Sequence, residues 1–490
     1  MGISNRGPIR IGTALVLVAG LAVTPVSSAA TASGPNTTYL VLGREGHSNG
    51  GVAARVAAAG GTIVAAYNQI NVLVVQSTNT AFIAEAEGGD VLGVAATTGL
   101  GTMLDDDTVL ETVDSPVGQA TGNPAGEPLF NLQWDMPQID LVEAHAVTTG
   151  SPDIVVGVLD SGISSTHPDL ATQIARDKSV SCIGGVPDTR EEAWNPSNST
   201  HGTHVAGTIA AAINGVGVAG VAPGVKVASV KVVNNGGFIY PEAAVCGFIW
   251  AAEHGMQITN NSYFIDPWEF NCRNDIRQRW IWQAVKRALN YSRSLGVLHF
   301  ASAGNSNVDL QHKFIDDGSP NDGSAPPEIR LVNGACLDLP TEASGVVTVA
   351  ATGRVRLKSY YSSYGQGEVD VTAPGGDTRQ PNPNVSTIAN AILSTVINTN
   401  TRVNGWGYLQ GTSMSSPHAA GVAALALSAH PNLTTGALAS LLERTSESLP
   451  CPPGLYDPRP GLPQFQATCT GGERNSFYGA GEVNAFNAVS

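Results

Sequence analysis

Ile154-Val155-Val156-Gly157-Val158-Leu159-Asp160-Ser161-Gly162 is a short apolar run that ends in a carboxylate and a turn. Similar runs, rich in Val and Ile, occur at 225–233, 297–301 and 346–350. Helical patterns alternate with these runs, at 201–213, 241–254, 279–295 and 415–429. Strands that are buried on both faces of a parallel sheet have this composition. The alternation therefore predicts an α/β fold with a doubly wound, mainly parallel sheet and helices on both faces.

The first 32 residues have the pattern of an export signal. Arg6 and Arg10 precede an apolar run over 11–25, and small residues at 28–32 resemble a cleavage site. An N-terminal membrane anchor is the alternative, but the run is shorter than the roughly 20 residues that a spanning helix needs. We therefore expect a secreted, extracellular protein that has no membrane association once residues 1–32 are removed.

Two further regions precede the α/β domain. The first region is 33–100. Its pattern from 38 to about 96 is that of a strand, a helix, two strands, a helix and a strand, which predicts a small α+β unit with an antiparallel sheet. Residues 101–128 contain six carboxylates and no Lys or Arg, together with Pro and Gly. That composition indicates an exposed acidic linker that a protease can cut. Residues 129–490 form the predicted α/β domain.

Charge and cysteine content exclude several classes of function. The chain has 25 Lys and Arg against 40 Asp and Glu, so a nucleic-acid partner, which requires a basic surface, is not expected. Six cysteines in an exported chain are candidates for disulfides, and they can pair in 15 ways. Cys451 and Cys469 flank one loop rich in Pro and Gly, which favours that pair. No C-x-x-C occurs, which argues against zinc ribbons and thioredoxin-type sites.

Asp160 and His201 are candidates for an acid–base pair. Acyl transfer needs a nucleophile, a base, a group that orients the base, and donors for the oxyanion. Asp160 ends an apolar strand, at the sheet edge where α/β folds place their active sites. His201 starts a helix of small residues, and Gly202 leaves its imidazole uncrowded. Taken alone, Asp160 could equally be a turn residue or a helix cap.

Ser413 and Asn305 are candidates for the nucleophile and the oxyanion donor. Ser413 precedes a wholly apolar helix whose first turn is predicted to contain Pro417, so the positive end of the helix dipole lies near its hydroxyl. Asn305 follows the apolar strand at 297–301, and its carboxamide can donate to an oxyanion. A plain Ser cap and a turn Asn are the alternatives.

Three competing motifs are less well supported. His201 and His204 have spacing that suggests a metal site, but no H-E-x-x-H pattern accompanies them, so no metal is expected there. Residues 215–220 match the dinucleotide pattern G-x-G-x-x-G, but they follow a helix instead of a strand. Ser415 occupies the last Gly position of G-x-S-x-G, which argues against an esterase of the α/β-hydrolase type.

The segments that contain the four candidate catalytic residues, together with several other motifs, resemble the subtilisin-like serine proteases, the subtilase family, over about 133–488. The order Asp, His, Ser is that of the family. The matching segments are Val158-Leu159-Asp160-Ser161-Gly162-Ile163, His167-Pro168-Asp169-Leu170, His201-Gly202-Thr203-His204, Gly220-Val221-Ala222-Pro223, Ser302-Ala303-Gly304-Asn305, Tyr361-Ser362-Ser363-Tyr364-Gly365, Ala373-Pro374-Gly375, Gly411-Thr412-Ser413-Met414-Ser415 and Gly479-Ala480-Gly481-Glu482-Val483-Asn484-Ala485.

The resemblance implies the roles of the catalytic residues. Ser413 would attack the scissile carbonyl, His201 would act as general base and then general acid, and Asp160 would orient the imidazole. Asn305 and the Ser413 amide would hold the oxyanion. The implied function is a secreted serine endopeptidase that processes itself from a precursor, with 33–100 as its inhibitory propeptide. A catalytically inactive member that serves as a binding module is the alternative.

The resemblance also implies the substrate cleft and the partners. Substrate would lie along Ser262, Tyr263, Phe264, Ser302, Ala303 and Gly304. Phe264 stands where members commonly have Gly, which alters the pocket for the residue on the N-terminal side of the scissile bond. No cofactor is expected to be required. Structural calcium remains open, but it is not expected at the loop from Asn214 to Pro223, which lacks a carboxylate. The expected partners are polypeptide substrates and the propeptide, with the chain a monomer.

Overall fold

The computed structural model describes residues 33–97, 109–319 and 328–490. The predicted signal, 1–32, lies outside the described residues, and so does the most acidic part of the predicted linker, within 98–108. Within the described ranges, no helix combines the length and the apolar character needed to cross a bilayer.

Strands and helices alternate along most of the chain. The strands are β1 (Ser33–Gly43), β2 (Thr62–Tyr67), β3 (Val72–Asn79), β4 (Val91–Ala96), β5 (Glu111–Val113), β6 (Val155–Asp160), β7 (Val180–Ser181), β8 (Lys226–Lys231), β9 (Ile258–Asn261), β10 (Asn271–Cys272), β11 (Leu298–Ser302), β12 (Ile315–Asp316), β13 (Arg330–Leu331), β14 (Cys336–Leu337), β15 (Val346–Thr352), β16 (Val371–Pro374), β17 (Ile392–Ile397), β18 (Asn404–Leu409), β19 (Leu455–Tyr456) and β20 (Ala467–Thr468). The helices are α1 (Gly50–Ala58), α2 (Phe82–Ala86), α3 (Asp135–Gln138), α4 (Leu141–Val147), α5 (Glu191–Trp194), α6 (His201–Ala210), α7 (Pro241–Glu253), α8 (Arg279–Ser294), α9 (Thr412–Ala429), α10 (Thr435–Thr445) and α11 (Ala485–Val489).

The N-terminal unit is an antiparallel sheet in the order β2-β3-β1-β4. Side chains alternate along β1 because successive residues of a strand point to opposite faces. Tyr39 and Val41 pack with α1 and α2, whereas Leu40 and Leu42 pack toward α7 and α8 of the larger domain. The predicted α+β unit with an antiparallel sheet is confirmed.

The larger domain is built on a seven-stranded parallel sheet in the order β16-β15-β11-β9-β6-β8-β7. Alternation along β6 divides the core into two layers. Val156 and Val158 pack with α6 and α9, and Val155 and Leu159 pack with α7 and α8. The predicted doubly wound α/β fold is confirmed. The four strands with predicted positions, β6, β8, β11 and β15, begin and end within two residues of those positions, whereas β7, β9 and β16 were not predicted.

Helix α9 starts three residues earlier than predicted. It begins at Thr412, so Ser413 lies in its first turn and Pro417 lies inside the helix. The prediction that Pro417 occupies the first turn is wrong. Proline inside a helix removes one backbone hydrogen bond, and this helix tolerates the loss because a side chain outside it takes over that bond.

The larger domain contains three disulfides. They join Cys182 to Cys246, Cys272 to Cys336 and Cys451 to Cys469. The pair predicted from the Pro- and Gly-rich loop, Cys451 with Cys469, is confirmed. Cys272 and Cys336 face each other across β10 and β14, where the backbone pairing brings them together.

The segment after residue 108 docks on the larger domain. β5 pairs antiparallel with β18, which places β18 between β17 and β5. Farther along, the amide of Gly118 donates to the Gly215 carbonyl at 2.7 Å, and the carboxylate of Glu127 accepts from the Gly215 amide at 3.0 Å. Residues 109–128 therefore pack against the α/β domain, although most of their side chains are exposed.

Candidate active site

Asp160 and His201 form a buried pair at the C-terminal edge of the sheet. Asp160 is the last residue of β6, and His201 is the first residue of α6. The His201 Nδ1 lies 2.9 Å from one carboxylate oxygen of Asp160 and 3.0 Å from the other. The Ser161 amide donates to the same carboxylate at 2.7 Å. Because an acceptor faces Nδ1, the proton of the neutral ring is held there and Nε2 is its basic nitrogen.

Gly202 is required by the approach of α6 to Asp160. A Cβ at this position would lie 2.6 Å from the Gly162 carbonyl oxygen and 3.0 Å from an Asp160 carboxylate oxygen. Any side chain here would push the helix away from the strand end, because a contact below 3 Å is a clash. The glycine therefore sets the distance between Asp160 and His201.

Ser413 lies in the first turn of α9, whose amide groups and dipole favour negative charge nearby. Its side chain is nearly buried, and its Oγ donates to the Ser262 carbonyl oxygen at 3.3 Å. Ser262 is the first residue after β9, so the strand end and the helix start are joined here.

Asn305 is oriented by the residue that precedes Ser413. Its Oδ1 accepts from the Thr412 amide at 2.9 Å and from the Thr412 hydroxyl at 2.8 Å. The Thr412 Oγ1 in turn accepts from the Gly304 amide at 3.1 Å. With the oxygen end of the carboxamide held by Thr412, Nδ2 is the end that can donate to another group.

One cavity of about 450 Å³ brings these residues together. His201, Ser413 and Asn305 line it, and so do five of the six predicted substrate-binding residues: Ser262, Tyr263, Phe264, Ser302 and Gly304. The sixth, Ala303, is fully buried and packs with Ala350 and Val369 behind the cavity wall. Asp160 lies behind His201 and does not line the cavity.

The sequence that forms this site matches a known protein family. Residues 151–481, more than half of the chain, match the model of the Subtilase family. The chain belongs to the subtilase family. Subtilisin DY of Bacillus licheniformis is 29% identical over 318 residues, which cover 65% of this chain and 92% of that protein. Fervidolysin of Fervidobacterium pennivorans is 29% identical over 344 residues, 68% of this chain but only 43% of fervidolysin.

Solved structures agree with the fold. The epidermin leader peptide processing serine protease of Staphylococcus aureus superposes with a TM-score of 0.69 at 20% identity, covering 93% of this chain and 98% of that one. That coverage extends the likeness of fold beyond the residues that match the family model. With the family established, the chain is a serine-type endopeptidase.

The second histidine of the subtilase motif, His204, is buried. Its Nε2 faces the Ile392 carbonyl oxygen at 3.1 Å, and burial lowers the pKa of its imidazole to about 3. The ring is therefore neutral and donates to the backbone of β17, a structural contact that ties α6 to that strand.

The loop from Asn214 to Pro223 is held by hydrogen bonds to side chains. The Trp406 indole donates to Asp169 Oδ2 at 2.7 Å, and the same oxygen accepts from the Val218 amide at 3.2 Å. Burial raises the pKa of Asp169 to about 7. The Gln133 side chain donates to the Ala219 carbonyl and accepts from the Ala219 amide. In the part of the chain that the structure describes, no three or more His, Cys, Asp or Glu side chains cluster as a metal site.

Sequence reasoning missed the acidic lining of the cavity. Four further residues of the subtilase line it with carboxyl groups: Asp266, Glu269, Asp317 and Asp338. They lie in two polar loops, at 264–277 and 308–339. The available signal was their composition, since these loops hold many carboxylates within reach of a cleft.

Proposed function

We propose that this subtilase hydrolyses peptide bonds through Ser413, His201 and Asp160, with Asn305 at the oxyanion. The observation that carries the proposal is the buried Asp160–His201 pair, at 2.9 Å, beside a cavity that Ser413 and Asn305 also line. Such an arrangement supplies a nucleophile, a base, an orienting carboxylate and an oxyanion donor. Polypeptides are the substrates, and no cofactor takes part in the steps below.

The chemistry proceeds in two halves. As Ser413 Oγ bonds to the scissile carbonyl carbon, its proton passes to His201 Nε2, and Asp160 stabilises the imidazolium. The oxyanion accepts from Asn305 Nδ2 and the Ser413 amide. The imidazolium then protonates the leaving amine, and the C–N bond breaks to give an acyl-enzyme. Water, deprotonated by His201, attacks this ester and releases the acid and Ser413.

We further propose that the chain is exported as a precursor and that residues 33–100 act as its inhibitory propeptide. Contacts between this unit and the α/β domain support the proposal. Arg287 of α8 is buried, and its Nη1 donates to the carbonyls of Gly43 and Ile70 at 2.9 and 3.2 Å. Tyr67 donates to the Gly185 carbonyl at 2.7 Å. The three disulfides fit an oxidising compartment outside the cell.

Self-processing within 101–108 fits these contacts best. The unit ends at buried Thr97, which hydrogen-bonds to Glu242 at the start of α7, three residues from Ile239 in the cavity wall. The C-terminal end of the unit therefore lies near the substrate cleft. Residues 109–128 are docked on β18 and on the loop at Gly215, so we infer that they stay with the mature enzyme.

Expression of full-length wild type beside Ser413→Ala tests the proposal. Only the wild type should cleave a fluorogenic peptide, bind a serine-reactive fluorophosphonate and lose its N-terminal unit, as seen by mass spectrometry. Ser415→Ala is the matched control, because that hydroxyl bonds to the Thr412 carbonyl and does not line the cavity.

Two results would contradict parts of the proposal. Full activity of purified Ser413→Ala would exclude Ser413 as the nucleophile. Normal trimming of the Ser413→Ala precursor in a protease-deficient host would exclude self-processing. A folded wild type that neither cleaves peptides nor reacts with the fluorophosphonate would be a catalytically inactive binding module.

A further inference from the structure

A buried carboxyl group lies at the wall of the cavity, next to the oxyanion segment. Asp338 follows β14 and is only 4% exposed. Its Oδ1 has no hydrogen-bond partner, and its Oδ2 lies 3.8 Å from where a Cβ on Gly304 would be. Gly304 is adjacent to Asn305, so the Asp338 carboxyl group lies close to the proposed oxyanion site.

The cations near Asp338 are already paired. Lys313 forms a buried ion pair with Glu342, and its ammonium also donates to the Leu310 carbonyl at 2.9 Å. Arg330 pairs with Asp316. These pairs leave the carboxyl groups of Asp338 and Glu269 without a cation of their own, and no Lys or Arg is among the described residues that line the cavity.

Keeping these carboxyl groups out of water is unfavourable. Burial, reinforced by the neighbouring carboxyl groups of Glu342 and Glu269, raises the pKa of Asp338 well above its usual range. Burial also raises the pKa of Glu269 to about 7, with Asp316 adding to the effect. Asp338 has a side-chain hydrogen bond with Thr341, and Glu269 has one with Ser306, but neither carboxyl group has a cation as its partner. A buried carboxyl group without an opposite charge is destabilising in the free protein, so its place in a cleft points to a ligand that supplies that charge.

We propose that this cavity accepts a Lys or Arg side chain from the residue on the N-terminal side of the scissile bond, the P1 residue, with Asp338 as its acceptor. The inference rests on the proposed function, because it assigns that pocket to the substrate of Ser413. The free Oδ1 supplies the acceptor that a guanidinium or ammonium group requires. Tyr263, Phe264 and Val308 line the same cavity, and their apolar surfaces suit the methylene stem of either side chain.

The sequence of the precursor has a consequence under this proposal. No Lys or Arg occurs from residue 56 to residue 175, so every bond in 101–108 offers a neutral or acidic P1 residue. Cleavage there relies on the intramolecular delivery of the linker to the site, which raises its effective concentration. Arg placed at the mapped P1 position of the linker should therefore speed processing.

Matched substrates test the proposal. Peptides identical except for Arg or citrulline at P1 differ in one charge at nearly the same shape. Wild type should show a kcat/KM at least about tenfold higher for Arg, which corresponds to about 1.4 kcal/mol. Asp338→Asn should bring the two values within about twofold. Asp309→Asn, which removes one charge from the neighbouring loop outside the cavity, should leave the ratio unchanged.

A pH profile of the wild type gives a second measurement that does not depend on a variant folding. The groups that face Asp338 are Glu342, Glu269 and Lys313, and those that face Glu269 are Asp316, Asp317 and Arg330. The two unpaired carboxyl groups are protonated below their raised pKa and attract no cation. The Arg-to-citrulline ratio should thus rise as pH increases from about 6 to 9.

The outcomes separate this inference from the proposed function. Active sites are counted by fluorophosphonate titration before each assay. If Ser413 does not react, the proposed function fails. If Ser413 reacts but wild type shows equal kcat/KM for Arg and citrulline at every pH, the P1 inference fails. It also fails if calcium abolishes the Arg preference and a chelator restores it, because a bound metal would then be the partner of Asp338.

Discussion

The hydroxyl of Ser262 donates to the backbone carbonyl of Ser413 at 2.9 Å. That carbonyl would bond to the amide of residue 417 in a regular helix, but Pro417 has no amide hydrogen. Ser262 therefore replaces the missing bond. Since the Ser413 Oγ lies 3.3 Å from the Ser262 carbonyl oxygen, the two residues are joined in both directions. The strand that lines the cleft thus supports the turn that carries the proposed nucleophile.

Ser262→Ala should destabilise the fold and slow catalysis. It removes the donor to the Ser413 carbonyl and the acceptor for the side-chain Nδ2 of Asn260 at 2.9 Å, and both hydrogen bonds are buried. The expected loss of unfolding free energy is about 1–3 kcal/mol. Urea unfolding measures the first effect and kcat the second. Ser262→Thr keeps the hydroxyl and should be close to wild type, whereas equal losses in both variants would show that shape, not the hydrogen bond, is responsible.

Asn305→Leu should lower kcat by about 10²–10³ with little change in KM, the loss typical for removal of an oxyanion donor. Thr412→Val should lower kcat less, because the Thr412 amide still holds Oδ1 of Asn305 after the hydroxyl is lost. Thr412→Ser is the control that keeps both donors. Steady-state kinetics with one peptide substrate gives all three comparisons. A raised KM at unchanged kcat in Asn305→Leu would assign this residue to substrate binding alone.

Dissociation of the N-terminal unit should depend on pH through Glu242. Its side chain hydrogen-bonds to Thr97 of that unit, and burial raises its pKa to about 7. Once the unit leaves, a solvent-exposed Glu returns to a pKa of about 4.3. The complex therefore binds the extra proton between these values, so affinity is highest at low pH and falls as pH rises through about 7.

The expected weakening between pH 5 and pH 7.5 is about tenfold or more. It can be followed in the cleaved complex by the fluorescence of Trp280, whose indole packs on Gly93 of the unit. Glu242→Gln should make the affinity nearly independent of pH in this range. An unchanged pH dependence in that variant would assign the effect to other groups.

The disulfides should differ in their contribution to stability. Cys451 and Cys469 are 18 residues apart, whereas Cys272 and Cys336 are 64 apart. Replacing each pair by Ala should cost about 3 kcal/mol for the shorter loop and about 4 kcal/mol for the longer one, because the longer loop restricts the unfolded chain more. Denaturant unfolding of both double variants tests the order. A larger loss for the Cys451–Cys469 pair would contradict this entropic ranking.

Much of the candidate site could be read from local sequence. Asp160 ends a run of apolar β-forming residues, His201 and Gly202 start a helix of small residues, and Ser413 precedes an apolar helix. Each signal lies within a window of about ten residues, so backbone preference and hydrophobic pattern suffice to predict the element. The three elements then meet because the carboxyl ends of parallel strands lie at one edge of a sheet.

Other features depend on contacts between distant residues. Helix α9 starts at Thr412, earlier than predicted, because the Ser262 hydroxyl donates to the Ser413 carbonyl that Pro417 leaves without a partner. Ser262 and Ser413 are 151 positions apart. The pairing of Cys182 with Cys246 depends on the path of an irregular loop, which local pattern does not encode.

The sequence by itself determined the α/β fold, the small antiparallel unit and the order of the candidate catalytic residues, because these follow from periodicity and from short motifs. Only the tertiary structure decided the charge of the cavity beside Ser413. Asp338 and Glu269 come from different loops, and each is an ordinary acidic loop residue in the sequence. Their proposed effect on a substrate depends on burial and on the pairing of Lys313 and Arg330 with other carboxylates, and both exist only once the chain has folded.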